Sequence, residues 1–191
     1  MYRDGISEGQ YNDCLDKELG QIQEAIGQLG AVDPQTGELT IKVSYIVCTK
    51  RHNVRVVYET SPGQYSNPCS GLVVDASGGR DSIVSHVLNE FYLNSHATIQ
   101  GTAKPTRYTL LYDEIGFKMS ELELLTYWST YLYCRCNRSV SLCTPVYYAH
   151  WAAARGRTLV SSVAQEHIGR TLDDLTDGWA NNENEAAMFF V

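Results

Sequence analysis

The chain has 191 residues, of which 43% are hydrophobic and 19% are charged. This length and apolar content are enough to bury one core, so we expect a single globular domain rather than a disordered chain. The N-terminus has no basic flank followed by an apolar run, and no stretch approaches about eighteen uninterrupted apolar residues. We therefore expect an intracellular protein without a signal peptide or a membrane span.

The net charge of −7 argues against a uniformly basic nucleic-acid-binding protein. The charges are, however, segregated along the chain. Residues 126–165 contain no Asp or Glu, whereas residues 173–185 contain five acidic residues and no basic one. Because a solvated face would interleave acids with bases, this segregation favours a locally positive surface that concentrates a polyanion at one site. The arginines of the acid-free stretch are Arg135, Arg138, Arg155 and Arg157.

The six cysteines are scattered through apolar segments, without the paired C-x-x-C spacing of a structural zinc site. The sequence predicts reduced thiols in the core or at the surface. The C-x-C pair at Cys134 and Cys136 leaves metal binding open as an alternative. At helical spacing, however, these two side chains would point to different faces.

A strand end and a helix are predicted at the start of the chain. Residues 1–5 have the pattern of the last residues of a strand that breaks at Gly5. A strand this short needs partners on both sides, which indicates that the chain begins inside a strand. Ser7 and Gln10 form a capping box, and apolar residues then recur at helical spacing, which predicts a helix over Glu8–Leu29.

The next segment is predicted to form a strand that is followed by basic residues. After a turn-rich break, alternating apolar residues predict a mostly buried strand over Ile41–Val47. Basic residues crowd the segment 50–55 that follows. A loop rich in Pro, Gly and Ser is predicted over Ser61–Gly71, and a short strand over Leu72–Asp75.

Two more strands and two helices complete the pattern. The strands are predicted over Glu90–His96 and Tyr108–Asp113, and small residues in the connection 97–106 suit close approach to a ligand. A helix is predicted over Ser120–Cys136, with Ser120 and Glu123 as its capping pair. Another begins near Pro145 and includes His150. Strands followed by two helices indicate an α/β protein.

Four blocks of sequence carry a family resemblance. Residues 2–10 are YRDGISEGQ, residues 50–55 are KRHNVR, residues 95–106 are SHATIQGTAKPT and residues 135–150 are RCNRSVSLCTPVYYAH. In order and spacing these blocks resemble the signature blocks of eukaryotic Argonaute PIWI domains. The resemblance covers nearly the whole chain, down to its apolar ending at 188–191.

The resemblance implies a fold and a domain organisation. The implied fold is a partial RNase H-like (PIWI) fold, with a mixed sheet flanked by helices, that lacks the first strands of the domain. Residues 1–160 would be the C-terminal portion of the PIWI domain. Residues 161–191 would form an acidic C-terminal extension whose apolar terminus belongs to the same domain.

The resemblance also implies cleavage of RNA by two Mg²⁺ or Mn²⁺ ions held by carboxylates in the intact protein. Asp4 and His150 match members of the family's catalytic, metal-binding set. A strand end before a glycine suits Asp4, because the strand aims the carboxylate while the glycine leaves room for a phosphate. Apart from the blocks, an Asp before Gly is more often a turn residue, and a His on an apolar helix is more often a core group.

A second set of residues matches positions that line the guide RNA in the family. Arg155 matches an arginine that reaches the guide's 5′-phosphate, whose oxygens suit the guanidinium fork. Such contacts would hold phosphates and 2′-hydroxyls, while pairing between guide and complementary target RNA supplies specificity. The other implied RNA-binding residues are Lys50, Arg51, Arg55, His96, Gln100, Lys104, Arg135, Arg138, Ser141 and Tyr147.

The chain departs from the family pattern in several places. Two further carboxylates of the catalytic set are absent from this sequence, so we expect that the chain alone does not cleave RNA. Lys104 stands where the family has Arg and loses the bidentate fork. Thr98 replaces a Gly, Gly156 interrupts the terminal basic helix, and residues 61–83 have little likeness to the family.

Two alternatives to a slicer fragment stay open. One is a non-cleaving PIWI module that binds guide and target RNA and recruits silencing partners, and the other is a truncated gene product without activity. Tyr127, Trp128 and Tyr131 lie in the region where Trp-rich silencing proteins would dock, although core packing also accounts for such aromatic residues. The resemblance implies a cytoplasmic protein and leaves nuclear localisation open.

Overall fold

The computed structural model describes residues 1–30, 35–37, 40–76, 84 and 89–166, with side chains up to residue 158. The chain divides into two compact units, Met1–Thr144 and Pro145–Val191, which we describe separately. No helix in these described ranges has the length and apolar character needed to cross a membrane. The acidic segment 173–185 and the apolar ending lie outside the described residues, and the predicted boundary at residue 160 stays a prediction.

The described residues form one strand and one helix, then six strands, then two helices, which confirms the predicted α/β class. The strands are β1 (Tyr2–Asp4), β2 (Ser44–Thr49), β3 (Tyr58–Ser61), β4 (Gln64–Ser66), β5 (Leu72–Val74), β6 (Asn89–Asn94) and β7 (Thr106–Asp113). The helices are α1, which runs from Glu8 to Gln28, α2 (Met119–Ser129) and α3 (Thr144–Glu166).

Five strands form one mixed sheet in the order β1-β2-β7-β6-β5. Strand β1 runs parallel to β2, and the other neighbours are antiparallel. The central strands are buried on both faces, as Ser44–Cys48 of β2 show. The ring of Phe91 stacks on that of Tyr108 with their centroids 5.2 Å apart, joining β6 to β7. The predicted mixed sheet flanked by helices is therefore confirmed.

Helix α1 confirms the helix predicted over Glu8–Leu29 to within one residue. The Ser7 backbone N–H donates to Gln10 Oε1 at 2.9 Å, as the capping box predicts. The helix widens into a π-helical turn at Leu15–Leu19. Its apolar side packs on the sheet, where each large apolar side chain that becomes buried contributes about 1.5–3 kcal/mol. The core cluster comprises Ile6, Tyr11, Cys14, Leu19, Val43, Tyr45 and Val47.

Strand β2 begins three residues later than the strand predicted over Ile41–Val47 and ends two residues after it. The reason lies in the contacts of Val43. Its N–H donates to Glu114 Oε2 at 2.9 Å, and its carbonyl accepts from the Glu114 N–H at 3.1 Å. These bonds use the backbone N–H and carbonyl of Val43, so pairing between β2 and β7 begins at the next residue. Ile41 is left exposed.

The loop predicted over Ser61–Gly71 is partly wrong, because β3 and β4 pair as an antiparallel hairpin. Gly63 lies at its turn with φ of +79°, a conformation that favours glycine. The Gly63 N–H donates to Glu59 Oε1 at 2.8 Å. All four residues of β3 are exposed, so no alternating burial marked this strand in the sequence.

The capping pair predicted for the second helix is wrong. Ser120 lies inside α2, which begins at Met119. The Lys118 N–H donates to Glu121 Oε2 at 3.2 Å, so the side-chain cap lies two residues earlier than predicted.

Helix α2 also ends seven residues before the predicted end at Cys136. At this end the Thr130 carbonyl accepts from the Val140 N–H at 3.0 Å instead of from a following helical residue, and two hydroxyls bond to carbonyls of the last turn. Ser129 Oγ donates to the Thr126 carbonyl at 2.7 Å, and Thr130 Oγ1 donates to the Tyr127 carbonyl at 2.7 Å. The C-x-C pair therefore lies beyond the helix.

Candidate nucleic-acid interface

The register of the sheet brings three strand ends and one strand start to the same edge. Asp4 pairs with Cys48 at the ends of β1 and β2, and Thr49 pairs with Arg107 near the start of β7. Strand β6 ends at this edge as well. The segments that leave these strands therefore lie side by side. These segments are residues 50–55 and 95–106. Together with residues 135–141, we call them the basic edge.

Side-chain hydroxyls tie the third segment of the basic edge to the sheet. Ser95 Oγ donates to the Val140 carbonyl at 2.5 Å. Thr106 Oγ1 donates to the Ser141 carbonyl at 2.7 Å. Both hydroxyl-bearing residues are buried, so these bonds fix the backbone at Val140 and Ser141.

Lys50 lies at the centre of the basic edge. Its Nζ donates to Ser141 Oγ at 2.5 Å. Partial desolvation lowers the pKa of Lys50, the charge of Asp4 raises it, and the charge of Lys104 lowers it again. Four predicted site residues are thus brought within electrostatic range of one another.

The connection 95–106 carries polar atoms with unused bonding capacity. His96 Nδ1 and Thr98 Oγ1 are buried without a hydrogen-bond partner in the described part of the chain. Desolvation, and then the charge of Lys50, lower the pKa of His96, which keeps its imidazole neutral near neutral pH. Gln100 and Lys104 are exposed on the same connection.

Asn67, which the sequence analysis did not single out, holds this connection in place. Its Nδ2 donates to the Gly101 carbonyl at 2.7 Å, and its Oδ1 accepts from the Ala103 N–H at 2.9 Å. One amide side chain therefore fixes both sides of the turn, where Gly101 has φ of +79°. An Asn in a Pro/Gly-rich stretch is so common that nothing in the sequence marked this role.

His52 forms a second link that sequence reasoning missed. Its Nε2 contacts the Pro105 carbonyl at 2.8 Å, and its Nδ1 accepts from the Val54 N–H at 3.2 Å. Only the neutral tautomer with a proton on Nε2 makes both bonds. The guanidinium of Arg55 donates to the His52 carbonyl at 3.0 Å, so this predicted phosphate ligand also stabilises its own loop. Arg51, between Lys50 and His52, is exposed.

Asp4 lies where the sequence predicts, at the end of β1 before Gly5, whose φ is +82°. Its Oδ1 accepts the Gly5 N–H at 2.8 Å. The role of Asp4 as a metal ligand stays a prediction. In the described ranges, no group of three or more His, Cys, Asp or Glu side chains is placed to hold a metal ion. These residues therefore do not fit a metal site by themselves, and we derive no cleavage step from them.

The second unit carries three further predicted site residues on α3, and its start confirms the helix predicted near Pro145. Proline suits this first turn because it needs no N–H partner there. Tyr147 and His150 are three residues apart and so share one side of the helix. His150 and Arg155 are both exposed, and Tyr147 is half-buried.

Comparison with known proteins identifies the family. The Piwi domain model matches residues 1–161, most of the chain. A rice (Oryza sativa subsp. japonica) protein named argonaute 14 is 42% identical over 157 residues, which cover 82% of this chain and 14% of that protein. The chain belongs to the Piwi domain family of Argonaute proteins. It spans about one seventh of the length of this curated relative.

Solved Argonaute structures share the fold of this Piwi chain. The C-terminal lobe of a budding yeast Argonaute matches it with a TM-score of 0.78 and 24% identity, covering 100% of this chain and 39% of that one. Kluyveromyces polysporus Argonaute with a guide RNA matches with a TM-score of 0.75 and 23% identity, covering 100% and 23%. The predicted partial PIWI fold is therefore confirmed as part of the Argonaute C-terminal lobe.

Proposed function

We propose that this Piwi chain takes part in small-RNA-guided gene silencing, and that its basic edge holds the backbone of a guide RNA paired with its target. The observation that carries this proposal is the convergence of Lys50, His96, Lys104 and Ser141 at one edge of the sheet. An ammonium group, a neutral imidazole and a hydroxyl are donors suited to phosphates and 2′-hydroxyls.

The acidic net charge of the chain is compatible with this role, because acids near the sheet are paired with arginines. Arg3 contacts Glu18 at 2.9 Å, and Arg107 contacts both Glu8 and Glu90. Pairing leaves fewer uncompensated negative charges to repel a polyanion from the neighbouring basic edge. The exposed basic members of the edge are Lys50, Arg51, Arg55, Lys104, Arg135 and Arg138.

The relatives support the choice of RNA as the ligand. The K. polysporus Argonaute structure contains a guide RNA, and the rice relative is an argonaute protein. In the intact protein, we propose that Arg155 and Tyr147 of α3 add contacts to the guide, Arg155 at its 5′-phosphate.

Cleavage of the target belongs to the intact protein in this proposal. Asp4 would supply one carboxylate and His150 one imidazole to a site for Mg²⁺ or Mn²⁺, completed by carboxylates that this sequence does not contain. Divalent metals at such a site activate water and neutralise developing charge on the phosphate.

A second candidate function is a non-cleaving scaffold that recruits silencing partners, and one observation favours it. Trp128 is 60% exposed on α2, so core packing does not account for this residue. Tyr131 and Leu132, just after the helix, are also exposed. Such apolar side chains suit the aromatic residues of a Trp-rich partner.

The main proposal is tested by the salt dependence of RNA binding. The experiment measures fluorescence anisotropy of a labelled guide–target RNA duplex with the chain over a series of KCl concentrations. Because Lys104 is exposed, Lys104→Ala should weaken binding several-fold and reduce the salt slope by about 1 without unfolding the chain. Lys17→Ala, which removes an exposed lysine of α1, is the matched control and should change neither quantity. Equal effects of the two substitutions would contradict the proposal.

A further inference from the structure

Two buried thiols lie beneath the basic edge. Cys48 is the fifth residue of β2, and Cys143 follows the segment that carries Ser141. Their Sγ atoms are 3.9 Å apart, and both residues are fully buried. The proposed RNA contacts use neither thiol.

The surroundings hold these two thiols against each other. The Cys143 N–H donates to the Tyr108 hydroxyl at 3.2 Å, and Tyr108 is the partner of Cys48 in the ladder between β2 and β7. Both cysteines are therefore positioned by the same tyrosine. A disulfide has a sulfur–sulfur distance of about 2.0 Å, so the two sulfurs need to approach by about 2 Å.

We infer that Cys48 and Cys143 are an oxidation site that forms an intramolecular disulfide when the protein meets a peroxide. In the first step, one thiol loses its proton, the thiolate attacks a peroxide oxygen and the oxygen–oxygen bond breaks. The sulfur becomes a sulfenic acid, and the leaving hydroxide takes up the released proton to form water. The second thiol then attacks the sulfenic sulfur and releases a second water. Two thiols are oxidised to one disulfide while one hydrogen peroxide is reduced to two waters.

Three of the other cysteines lie in different surroundings. Cys14 contacts Glu18 Oε1 at 3.7 Å and belongs to the core cluster that contains Val47. The side chain of Val47 lies on the opposite face of β2 from that of Cys48. Cys69 and Cys134 are exposed. Burial raises the pKa of the Cys48 thiol, so little thiolate forms and the reaction is slow.

The disulfide would join the end of β2 to the segment that Ser95 and Thr106 tie to the sheet. It closes a loop between residues 95 positions apart, which restricts the unfolded chain. The oxidised chain should therefore melt at a higher temperature than the reduced chain. Because Cys48 and Cys143 are each two residues from Lys50 and Ser141, the disulfide would hold the backbone near these two residues in one arrangement.

The test treats the reduced chain with hydrogen peroxide, alkylates the remaining thiols in denaturant and maps peptides without reduction. The expected product is the Cys48 peptide linked to the Cys143 peptide, with a mass lower by two hydrogens and with a higher melting temperature that dithiothreitol reverses. The double variant Cys134→Ser/Cys136→Ser is the matched control and should form the same link.

Two single variants keep the inference falsifiable. Cys143→Ser and Cys48→Val should each abolish the link and the rise in melting temperature, and valine is well tolerated in a buried strand if serine is not. Full alkylation of Cys48 and Cys143 in the oxidised wild-type chain would overturn the inference. So would a link from either residue to a different cysteine. Neither result depends on RNA, so failure here would leave the proposed function standing.

Discussion

At the residue scale, Glu18 shows how this chain accommodates acidic side chains near a basic surface. Its carboxylate accepts hydrogen bonds from Arg3 at 2.9 Å and from the Tyr45 hydroxyl at 2.7 Å. The bonds from Arg3, and then the bond from Tyr45, lower the pKa of Glu18 to about 2. The ion pair links β1 to α1 and so helps to position the strand that carries Asp4.

This pairing makes a prediction about acid stability. The folded-state pKa of Glu18 is depressed below its ordinary value of 4.5, so its stabilisation is present above pH 4.5 and is lost as the pH falls toward about 2. Glu18→Gln should lower the free energy of unfolding at neutral pH by about 1 kcal/mol, since both partners are partly exposed. It should also flatten the pH dependence of the free energy of unfolding between pH 4.5 and about pH 2. Urea denaturation measures both effects.

The matched control for this prediction is Glu24→Gln on the same helix. Glu24 is exposed and accepts a hydrogen bond from the exposed Gln28 side chain. An unchanged acid profile in Glu18→Gln, or the same change in both variants, would contradict the role given to the Arg3 pair.

At the scale of elements, Arg107 joins two strands and a helix. From β7 its Nε donates to Glu90 Oε2 of β6 at 2.7 Å, and its Nη1 donates to Glu8 Oε1 of α1 at 2.5 Å. Glu90 is 4% exposed on its side chain, whereas Glu8 is 63% exposed. The bond to Glu90 therefore matters more, because a buried carboxylate needs a partner.

Arg107→Leu should destabilise the chain by about 3 kcal/mol, since it leaves the Glu90 charge buried without this partner. Thermal and urea unfolding measure the effect. The double variant Arg107→Leu/Glu90→Leu should recover most of the loss, and Glu8→Gln should have little effect. A loss of equal size in Glu8→Gln, or no recovery in the double variant, would contradict this account of the link.

The sequence predicts those elements whose apolar pattern corresponds to a buried face. It does not predict elements that lack such a pattern. Helix α1 has both a capping box and an apolar stripe, and its predicted ends were right to within one residue. Strand β3 is exposed throughout, so its sequence carried no signal beyond the Pro-Gly turn. At the end of α2 the Thr130 carbonyl accepts from the Val140 N–H, ten residues further on, a bond that residue periodicity does not reveal.

The candidate site divides in the same way. Lys50, His96 and Lys104 were predicted from blocks that resemble a family, and the sheet register explains why these separate blocks meet. Asn67 and His52 were missed because their bonds go to backbone groups of residues far along the chain. Such bonds appear only once the fold brings the segments together.

At the scale of the whole molecule, the chain matches one part of the C-terminal lobe of Argonaute proteins. It spans about one seventh of the length of a curated argonaute relative. Its described residues hold no cluster of metal-binding side chains. We expect the chain to bind RNA without cleaving it, because two carboxylates of the family's catalytic set are absent from this sequence.

That expectation is a direct prediction. The purified chain, mixed with a guide RNA, a complementary labelled target and Mg²⁺ or Mn²⁺, should leave the target intact on a denaturing gel. An Asp4→Ala variant should give the same result, because a site with half its ligands does not bind magnesium properly. Metal-dependent cleavage at one position of the paired target, lost in Asp4→Ala, would contradict it.

The central claim, that the basic edge contacts RNA, is tested most directly by cross-linking. A guide–target duplex carrying 4-thiouridine is irradiated with the chain, and the cross-linked peptides are identified by mass spectrometry. We predict cross-links within residues 50–55, 95–106 and 135–141, and their loss at high salt. Cross-links confined to α1 or to the β3–β4 hairpin would contradict the claim.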